Sequence, residues 1–269
     1  MVRVLTTTEA AHLAHVGVTT IKRWVDQGLL PSIRTAGGHR RIHPADLERL
    51  VRRPATVEVT STPETDRWVD LLLTGDRYRI DAQLLSERGR LGAWHLVADA
   101  LGLALGGLGA RWQAGRVTVA EEHRASDALE RALSRIHDAL PVSHGARACL
   151  LAVVPGDDHV LGLRLAELCL RERGWFPLWL GRLVPGAEVE RLVIEGRVDM
   201  VAYSASGGSS DPQPLAELAE ALAAVCAPRG VSLVLGGEGA WPQSPREAAR
   251  VRSFSEFHQL LGGRSKERT

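Results

Sequence analysis

Short apolar runs alternate with amphipathic segments in the C-terminal part of the chain. The runs predict four strands, at residues 148–154, 176–180, 198–203 and 232–235. Between them, apolar residues recur at helical spacing over residues 162–173, 185–195 and 214–226. This alternation is typical of a doubly wound parallel sheet, in which ligands bind beyond the carboxyl ends of the strands. Asp157, Ser204 and Gly236 follow three of these strands and are therefore candidate binding residues.

The middle of the chain, residues 64–140, follows the helical period almost throughout. Breaks near Gly75, Gly89 and Gly115 divide this stretch, so that four helices fit it. Residues 54–63 precede it, carry Thr and Pro without helical period, and are typical of a linker.

The N-terminal block has the pattern of two short helices joined by a turn. Thr6 and Glu9 form a capping box that opens a helix ending near His15. The next helix, from Thr19, directs the apolar residues at positions 21, 24 and 25 toward a core. Its outward side chains are those of Thr20, Lys22 and Arg23. A recognition helix presents itself to the major groove of DNA in this way.

A small hairpin follows the second helix. Residues 33–35 and 40–42 flank Gly37 and Gly38, which supply the positive φ of a tight turn, and Pro44 opens a third helix. The candidate DNA-contacting side chains of this hairpin are those of Arg34, His39, Arg40 and Arg41. Their clustering favours contacts to phosphates over an evenly solvated basic face. We therefore predict a winged helix-turn-helix.

Charge is divided unevenly along the chain. Residues 1–53 hold nine Lys or Arg against four Asp or Glu, a net +5, whereas the remainder holds 24 against 28, a net −4. A basic N-terminal block of this kind suits a polyanionic partner.

Cysteine usage and hydropathy narrow the class of protein further. Cys149, Cys169 and Cys226 form no Cys-x-x-Cys pair and lie in or beside apolar segments, which predicts buried thiols. No run approaches the ~20 apolar residues of a membrane span. The start of the chain has no signal-peptide pattern, so we expect a cytoplasmic protein without membrane contact.

The loop after the first predicted strand of the sheet carries a carboxylate and an imidazole two residues apart, in the spacing Asp157-x-His159-x-x-Gly162. An imidazole can bind a metal through one nitrogen while Asp157 accepts a hydrogen bond from the other, which fixes the tautomer. Gly162 leaves room for a bulky group at the start of the helix. Taken by itself, the motif is also compatible with a surface loop that carries an incidental Asp and His.

A second candidate site lies in the helical region. Trp112 stands at the end of a predicted helix, and Glu122 and His123 lie in the first turns of the next. A helical hairpin can bring all three to one surface. Taken singly, Trp112 is compatible with a core aromatic residue, and Glu122 and His123 with a solvated helix face.

The order of these motifs resembles known families. The wing sequence Gly-Gly-His-Arg-Arg, at residues 37–41, is similar to that of MerR-family DNA-binding domains, although residues 24–30 are closer to excisionase-like members. Trp112-x9-Glu122-His123 resembles the four-helix cap of light-responsive cobalamin repressors of the CarH/LitR type. Asp157-x-His159-x-x-Gly162 resembles the lower-ligand motif of cobalamin-binding domains.

This resemblance implies a multidomain α and α/β fold. Its parts would be a MerR-like winged helix-turn-helix domain (1–53), a linker (54–63), a four-helix bundle cobalamin cap (64–143), a doubly wound, Rossmann-like cobalamin-binding domain (144–263) and a tail (264–269). The implied cofactor is adenosylcobalamin, with His159 as the lower cobalt ligand. Trp112, Glu122 and His123 would surround its upper adenosyl group.

The resemblance also extends to the ends of the later strands. Ser204 and Ser206 after the third strand, and Gly236 and Gly237 after the fourth, match family positions that contact the nucleotide tail of the cofactor. The implied activity is regulation without catalysis. A homo-oligomer, a tetramer in the well-known members, would repress by binding double-stranded promoter DNA until light breaks the cobalt–carbon bond.

One residue departs from the family pattern. The best-known light sensors carry a histidine directly after the tryptophan, whereas this chain has Gln113. An amide is a poor cobalt ligand compared with imidazole. Two alternatives therefore stay open, a corrinoid protein of a methyltransferase system and a MerR-like regulator that senses a corrinoid or another small ligand without light.

Overall fold

The structure is a computed structural model of the whole chain. It describes residues 4–14, 18–26, 30–35, 37–51, 62–142, 145–181, 184 and 186–262. The predicted linker, apart from its last two residues, and the predicted tail lie outside the described residues.

The N-terminal block folds as predicted. Its elements are α1 (Thr7–Ala14), α2 (Val18–Asp26), β1 (Ser32–Arg34), β2 (Arg40–Ile42) and α3 (Pro44–Val51). The capping box is present, because Thr6 N–H donates to Glu9 Oε2 at 2.8 Å and Glu9 N–H to Thr6 Oγ1 at 3.1 Å. A small core of aliphatic side chains holds the block together, built from Leu5, Ala10, Ala11, Ala14, Ile21, Leu30, Ile42 and Leu47.

The hairpin is antiparallel, and of its two glycines Gly38 has a positive φ whereas Gly37 does not, so the expectation for Gly37 is wrong. Arg34 pairs with Arg40 at the end of the ladder. Gly38 has a φ of +78° and its N–H donates to Thr35 O at 2.8 Å. Leu5 adds a bridge to Ile42 on the other edge of β2, which ties the wing to the start of the chain.

Four helices follow, as the pattern predicts. They are α4 (Pro63–Thr74), α5 (Arg77–Leu91), α6 (Trp94–Gln113) and α7 (Val119–Asp138). The predicted break at Gly89 is wrong: α5 continues to Leu91 and ends on Gly92, whose φ is +81° and whose N–H donates to Arg88 O. An exposed glycine inside a helix weakens it without ending it, whereas a glycine in the left-handed conformation caps it.

The C-terminal part contains a parallel sheet of five strands in the order β4-β3-β5-β6-β7. Its strands are β3 (Ala148–Val153), β4 (Phe176–Gly181), β5 (Met200–Ser204), β6 (Ser232–Gly236) and β7 (Ala249–Arg250). Its helices are α8 (Leu161–Glu172), α9 (Gly186–Ile194), α10 (Pro212–Cys226) and α11 (Phe254–Leu261), with a 3₁₀ turn at Ala227–Arg229. The sequence pattern missed β7 and α11.

The strand order reverses direction between β3 and β5. This is the topological switch point of a flavodoxin-like sheet, at which the loops after the two strands diverge and leave a crevice. The predicted residue Asp157 lies on the loop after β3, and Ser204 is the last residue of β5, so both lie at this crevice. The three cysteines are buried as predicted, and burial raises the pKa of each thiol.

The chain divides into two compact units, and the division passes through α6 and α7. One unit comprises Met1–Gly75 and Leu103–Asp127, and the other comprises Asp76–Gly102 and Ala128–Thr269. Within the first unit, α6 packs on α4 through Gly107 and through Arg111, which donates to Asp70 at 2.6 Å and to Asp66 at 2.7 Å. Within the second, Arg135 of α7 donates to Asp81 of α5 at 2.7 Å.

Candidate functional site

Asp157 is the centre of a hydrogen-bond network on the loop after β3. Its Oδ1 accepts from the backbone N–H of His159 at 3.0 Å and lies 2.8 Å from His159 Nδ1. Its Oδ2 accepts from Ser206 N–H at 2.7 Å and from the hydroxyl of Ser209 at 2.9 Å. Both carboxylate oxygens are thereby satisfied in a side chain that is 2% exposed.

This network keeps the carboxylate ionised. Burial by itself raises the pKa of a carboxyl group, but the hydrogen bonds from His159 and Ser206 outweigh it and hold the pKa of Asp157 well below its usual range. The imidazole of His159 is 67% exposed beside the buried carboxylate. With Nδ1–H donated to Asp157, Nε2 is the nitrogen whose lone pair can bind a metal. An oriented, accessible imidazole is a donor that fits the lower face of a corrinoid.

The remaining candidate residues of the sheet lie around the same crevice. A Cβ at Gly162, in the first turn of α8, would lie 3.7 Å from Ser204 Oγ. Ser204 pairs with Gly236 across β5 and β6, and Ala205 N–H donates to Gly236 O. The structure thus brings Gly162, Ser204 and Gly236 together with the Asp157 network.

Gly237 is required by a close approach of two backbone segments. Its φ is +84°, and a Cβ at this position would lie 2.2 Å from Ala205 O. The loop after β6 therefore lies directly against the loop after β5, and no larger residue fits without moving it. A Cβ at Gly239 would likewise lie 2.4 Å from Ala205 Cβ.

The helical candidate residues flank the connection between α6 and α7. Trp112 is the penultimate residue of α6 and is half-buried, while Glu122 and His123 lie in the first turns of α7. Glu122 accepts from Ser126 Oγ at 2.7 Å and lies 2.6 Å from Nδ1 of the exposed His123. Gln113 ends α6 and is exposed.

The candidate DNA-binding side chains differ in their exposure and in their contacts within the protein. Lys22, Arg34 and His39 are exposed. Arg40 instead forms a bidentate ion pair with Asp26 at the end of α2, and its Nη1 lies 3.4 Å from Lys22 O.

Three further side chains belong to the predicted DNA-binding set. Arg41 is half-buried and donates to Arg40 O at 3.2 Å. Thr20 and Arg23 lie on α2, but their side chains are outside the described residues.

Comparison with protein families defines the class of the chain. A model described as a helix-turn-helix domain matches residues 4–54, and a model described as a B12 binding domain matches residues 65–137. Together these two models cover less than half of the chain, a helix-turn-helix region followed by a B12-binding region. Among the described residues, none of the helices has the length and apolar character needed to cross a membrane.

The relatives narrow this class. Over 271 residues, 86% of this chain and 88% of the relative, the chain is 28% identical to the HTH-type transcriptional repressor CarH of Myxococcus xanthus. Over 126 residues, 46% of this chain and 42% of the relative, it is 37% identical to the HTH-type transcriptional repressor CarA of the same organism. By its two domain matches and these two relatives, the chain is similar to HTH-type transcriptional repressors of the CarH type.

A solved structure supports the fold of the helical region and the parallel sheet. The monomethylamine corrinoid protein of Methanosarcina barkeri superposes with a TM-score of 0.54 at 16% identity, covering 72% of this chain and 94% of that protein. At this identity the likeness shows the fold, a helical region followed by a parallel sheet.

Sequence reasoning missed Ser209 and Gly239. Ser209 binds Asp157 from 52 residues further along the chain, and no local signal distinguishes it from Ser210 or Ser206. Gly239 belongs to a glycine-rich segment whose first two members were recognised, and its closeness to Ala205 depends on the pairing of β5 with β6.

Proposed function

We propose that this chain is a light-responsive transcriptional regulator that binds promoter DNA as an adenosylcobalamin-stabilised homo-oligomer, a tetramer by analogy. The observation that carries the proposal is the pair Asp157 and His159, in which a buried, ionised carboxylate orients an exposed imidazole at the switch point of the sheet. The proposed domains keep the boundaries expected from the sequence, at 1–53, 64–143 and 144–263.

In this proposal each group of residues has a defined task. His159 would bind the cobalt of the cofactor, and Asp157 would fix the tautomer and orientation of the imidazole. Gly162, Ser204, Ser206, Gly236 and Gly237 would make room for the nucleotide part of the cofactor. Trp112, Glu122 and His123 would contact its adenosyl group. When bound, adenosylcobalamin supplies a cobalt–carbon bond that light breaks.

Regulation follows from the strength of DNA binding by linked modules. One winged module of this size gives limited affinity, whereas several modules held in one oligomer raise each other's effective concentration at neighbouring sites. Loss of the oligomer is then sufficient to release DNA. Lys22, Arg34 and His39 on α2 and the wing are the exposed groups proposed to contact DNA.

The test is reconstitution of the full chain with adenosylcobalamin in the dark, followed by illumination. We expect a bound corrinoid spectrum, an oligomer in the dark, and a lower mass and weaker DNA binding after light. A mass equal to that of the cofactor-free chain, with no bound corrinoid, would contradict the proposal.

A second candidate is a corrinoid-responsive regulator that does not use light, and Gln113 is the observation that favours it. It predicts that cofactor binding changes the mass and the DNA affinity, while illumination changes neither. The substitution Gln113→His separates the two candidates further, because we expect it to alter the spectrum after illumination if position 113 lies near the upper axial group.

A further inference from the structure

His95, Glu172 and His258 form a cluster of potential metal ligands away from the Asp157 loop. They come from three separate elements, the start of α6, the last residue of α8 and the middle of α11. One donor atom of each residue lies within 4.8 Å of the donor atoms of the other two. All three residues belong to the same compact unit.

The donor atoms of the cluster are close together and lie in largely buried side chains. His95 Nδ1 lies 3.7 Å from Glu172 Oε2, and both side chains are 17% exposed. Among the described residues, this nitrogen of His95 is buried and has no hydrogen-bond partner. Buried polar atoms without a partner are rare, and binding of a metal ion is one way in which such an atom is satisfied.

We propose that this cluster is a Zn²⁺ site. Two imidazoles and one carboxylate are an established donor set for zinc, with a fourth position for water. Ligand atoms about 2.0–2.1 Å from a tetrahedral zinc lie roughly 3.3 Å from one another, so His95 Nδ1 and Glu172 Oε2 need to approach only slightly. Zinc bound here fastens α11 to α6 and α8.

Two features of the cluster must change when the ion binds. The rings of His95 and His258 are stacked, with centroids 3.8 Å apart and planes at 14°, so His258 has to rotate to direct its lone pair at the ion. Arg88 lies 3.0 Å from Glu172 Oε1, and Arg173 Nη2 lies 3.5 Å from His258 Nδ1. Arg88 contacts Oε1, whereas Oε2, the oxygen 3.7 Å from His95 Nδ1, accepts from Trp94 N–H at 3.0 Å and keeps a second lone pair for the ion. Arg173 is exposed, so its guanidinium can turn into solvent.

The experiment titrates ZnCl₂ into the full chain carrying His159→Ala, which removes the exposed imidazole of the candidate corrinoid site. We expect one equivalent of zinc to stay bound after gel filtration and to raise the thermal midpoint. His258→Phe keeps a ring in the stack but removes a ligand, and we expect it to weaken zinc binding at least about 100-fold. Glu172→Gln should weaken it similarly, whereas His43→Ala, which removes an imidazole outside the cluster, serves as the matched control and should leave it unchanged.

The result that overturns the proposal is a parent chain that retains no zinc, or a His258→Phe chain that binds zinc as tightly as the parent. Corrinoid binding is measured separately, by absorption, in chains that keep His159. Failure of the zinc site therefore leaves the cobalamin proposal standing, and loss of corrinoid binding leaves the zinc proposal standing.

Discussion

Asp157 is more consequential than its neighbour in sequence, Asp158, because one is buried in a network and the other is exposed. The substitution Asp157→Asn removes the charge that orients His159 and leaves a single carbonyl oxygen for the donors of His159, Ser206 and Ser209. Removing the partner that orients a metal-ligating histidine typically costs 10–100-fold in affinity.

We therefore expect Asp157→Asn to weaken adenosylcobalamin binding by about 10–100-fold in a spectroscopic titration. Asp158→Asn is the matched control and should bind like the parent chain. Equal affinity of the two variants would show that His159 is not oriented by Asp157 when the cofactor binds.

His137 is a second residue whose environment has a measurable consequence. It is 3% exposed, and its Nδ1 lies 3.2 Å from Oε2 of the buried Glu167. Burial lowers the pKa of His137 to about 4. The negative charge of Glu167 opposes this shift, but Glu167 also forms ion pairs with Arg171 and Arg164, whose positive charges lower the pKa of His137 further.

Stability of the folded chain should therefore depend on pH through His137. Below pH ~6.5 His137 is protonated in the unfolded chain, whereas in the folded chain it stays neutral down to about pH 4. The free energy of unfolding is therefore highest above pH ~6.5 and falls as the pH drops toward 4. The full effect is on the order of 3 kcal/mol. Thermal midpoints at pH 7.5 and 5 should differ less in His137→Phe than in the parent, whereas the exposed-site variant His123→Ala should keep the parent's difference. An undiminished difference in His137→Phe would contradict this assignment.

The elements show which parts of the fold the sequence could predict and which it could not. Long periodic segments and apolar runs predicted α1 to α10 and β3 to β6, because periodicity over many residues reports burial directly. The two-residue β7 is too short for a period. Gly89 and Gly92 look alike locally, but it is Gly92 that adopts the left-handed conformation in which α5 ends.

The same limit applies to the wing. Sequence placed Arg34 and Arg40 together as phosphate contacts, because basic residues on one hairpin look equivalent. The structure separates them, since Arg40 is paired with Asp26 and Arg34 is exposed. We therefore propose that Arg40 stabilises the packing of the wing on α2. Asp26 neutralises its positive charge, so that Arg40 does not contact a phosphate.

This assignment can be tested with non-specific duplex DNA, since phosphate contacts do not depend on sequence. Arg34→Ala and Lys22→Ala should each reduce the slope of log affinity against log salt by about 0.9. Arg40→Ala should weaken binding while leaving the slope nearly unchanged. A slope reduced as much by Arg40→Ala as by Arg34→Ala would mean that Arg40 leaves Asp26 and contacts a phosphate.

At the scale of the whole molecule, a basic N-terminal block of net charge +5 is joined to a remainder of net charge −4 that carries the proposed cofactor site. The acidic remainder adds no attraction for DNA, so affinity must come from the number of basic blocks that engage one duplex together. A cofactor that assembles the chain should therefore raise affinity for long DNA far more than for short DNA.

We expect adenosylcobalamin in the dark to raise affinity for a duplex long enough for several modules by 10²–10⁴-fold, and to change affinity for a duplex that admits one module by little. Comparing each DNA with and without cofactor cancels the greater number of overlapping sites on the longer one. Asp157→Asn should shift this gain to about 10–100-fold higher cofactor concentration without altering the cofactor-free affinities, because Asp157 lies outside the basic block. By linkage, saturating long DNA should tighten cofactor binding by the same factor, which an absorption titration measures independently. An equal gain on short and long duplexes would show that the cofactor acts within each module, and assembly would then have no part in DNA binding.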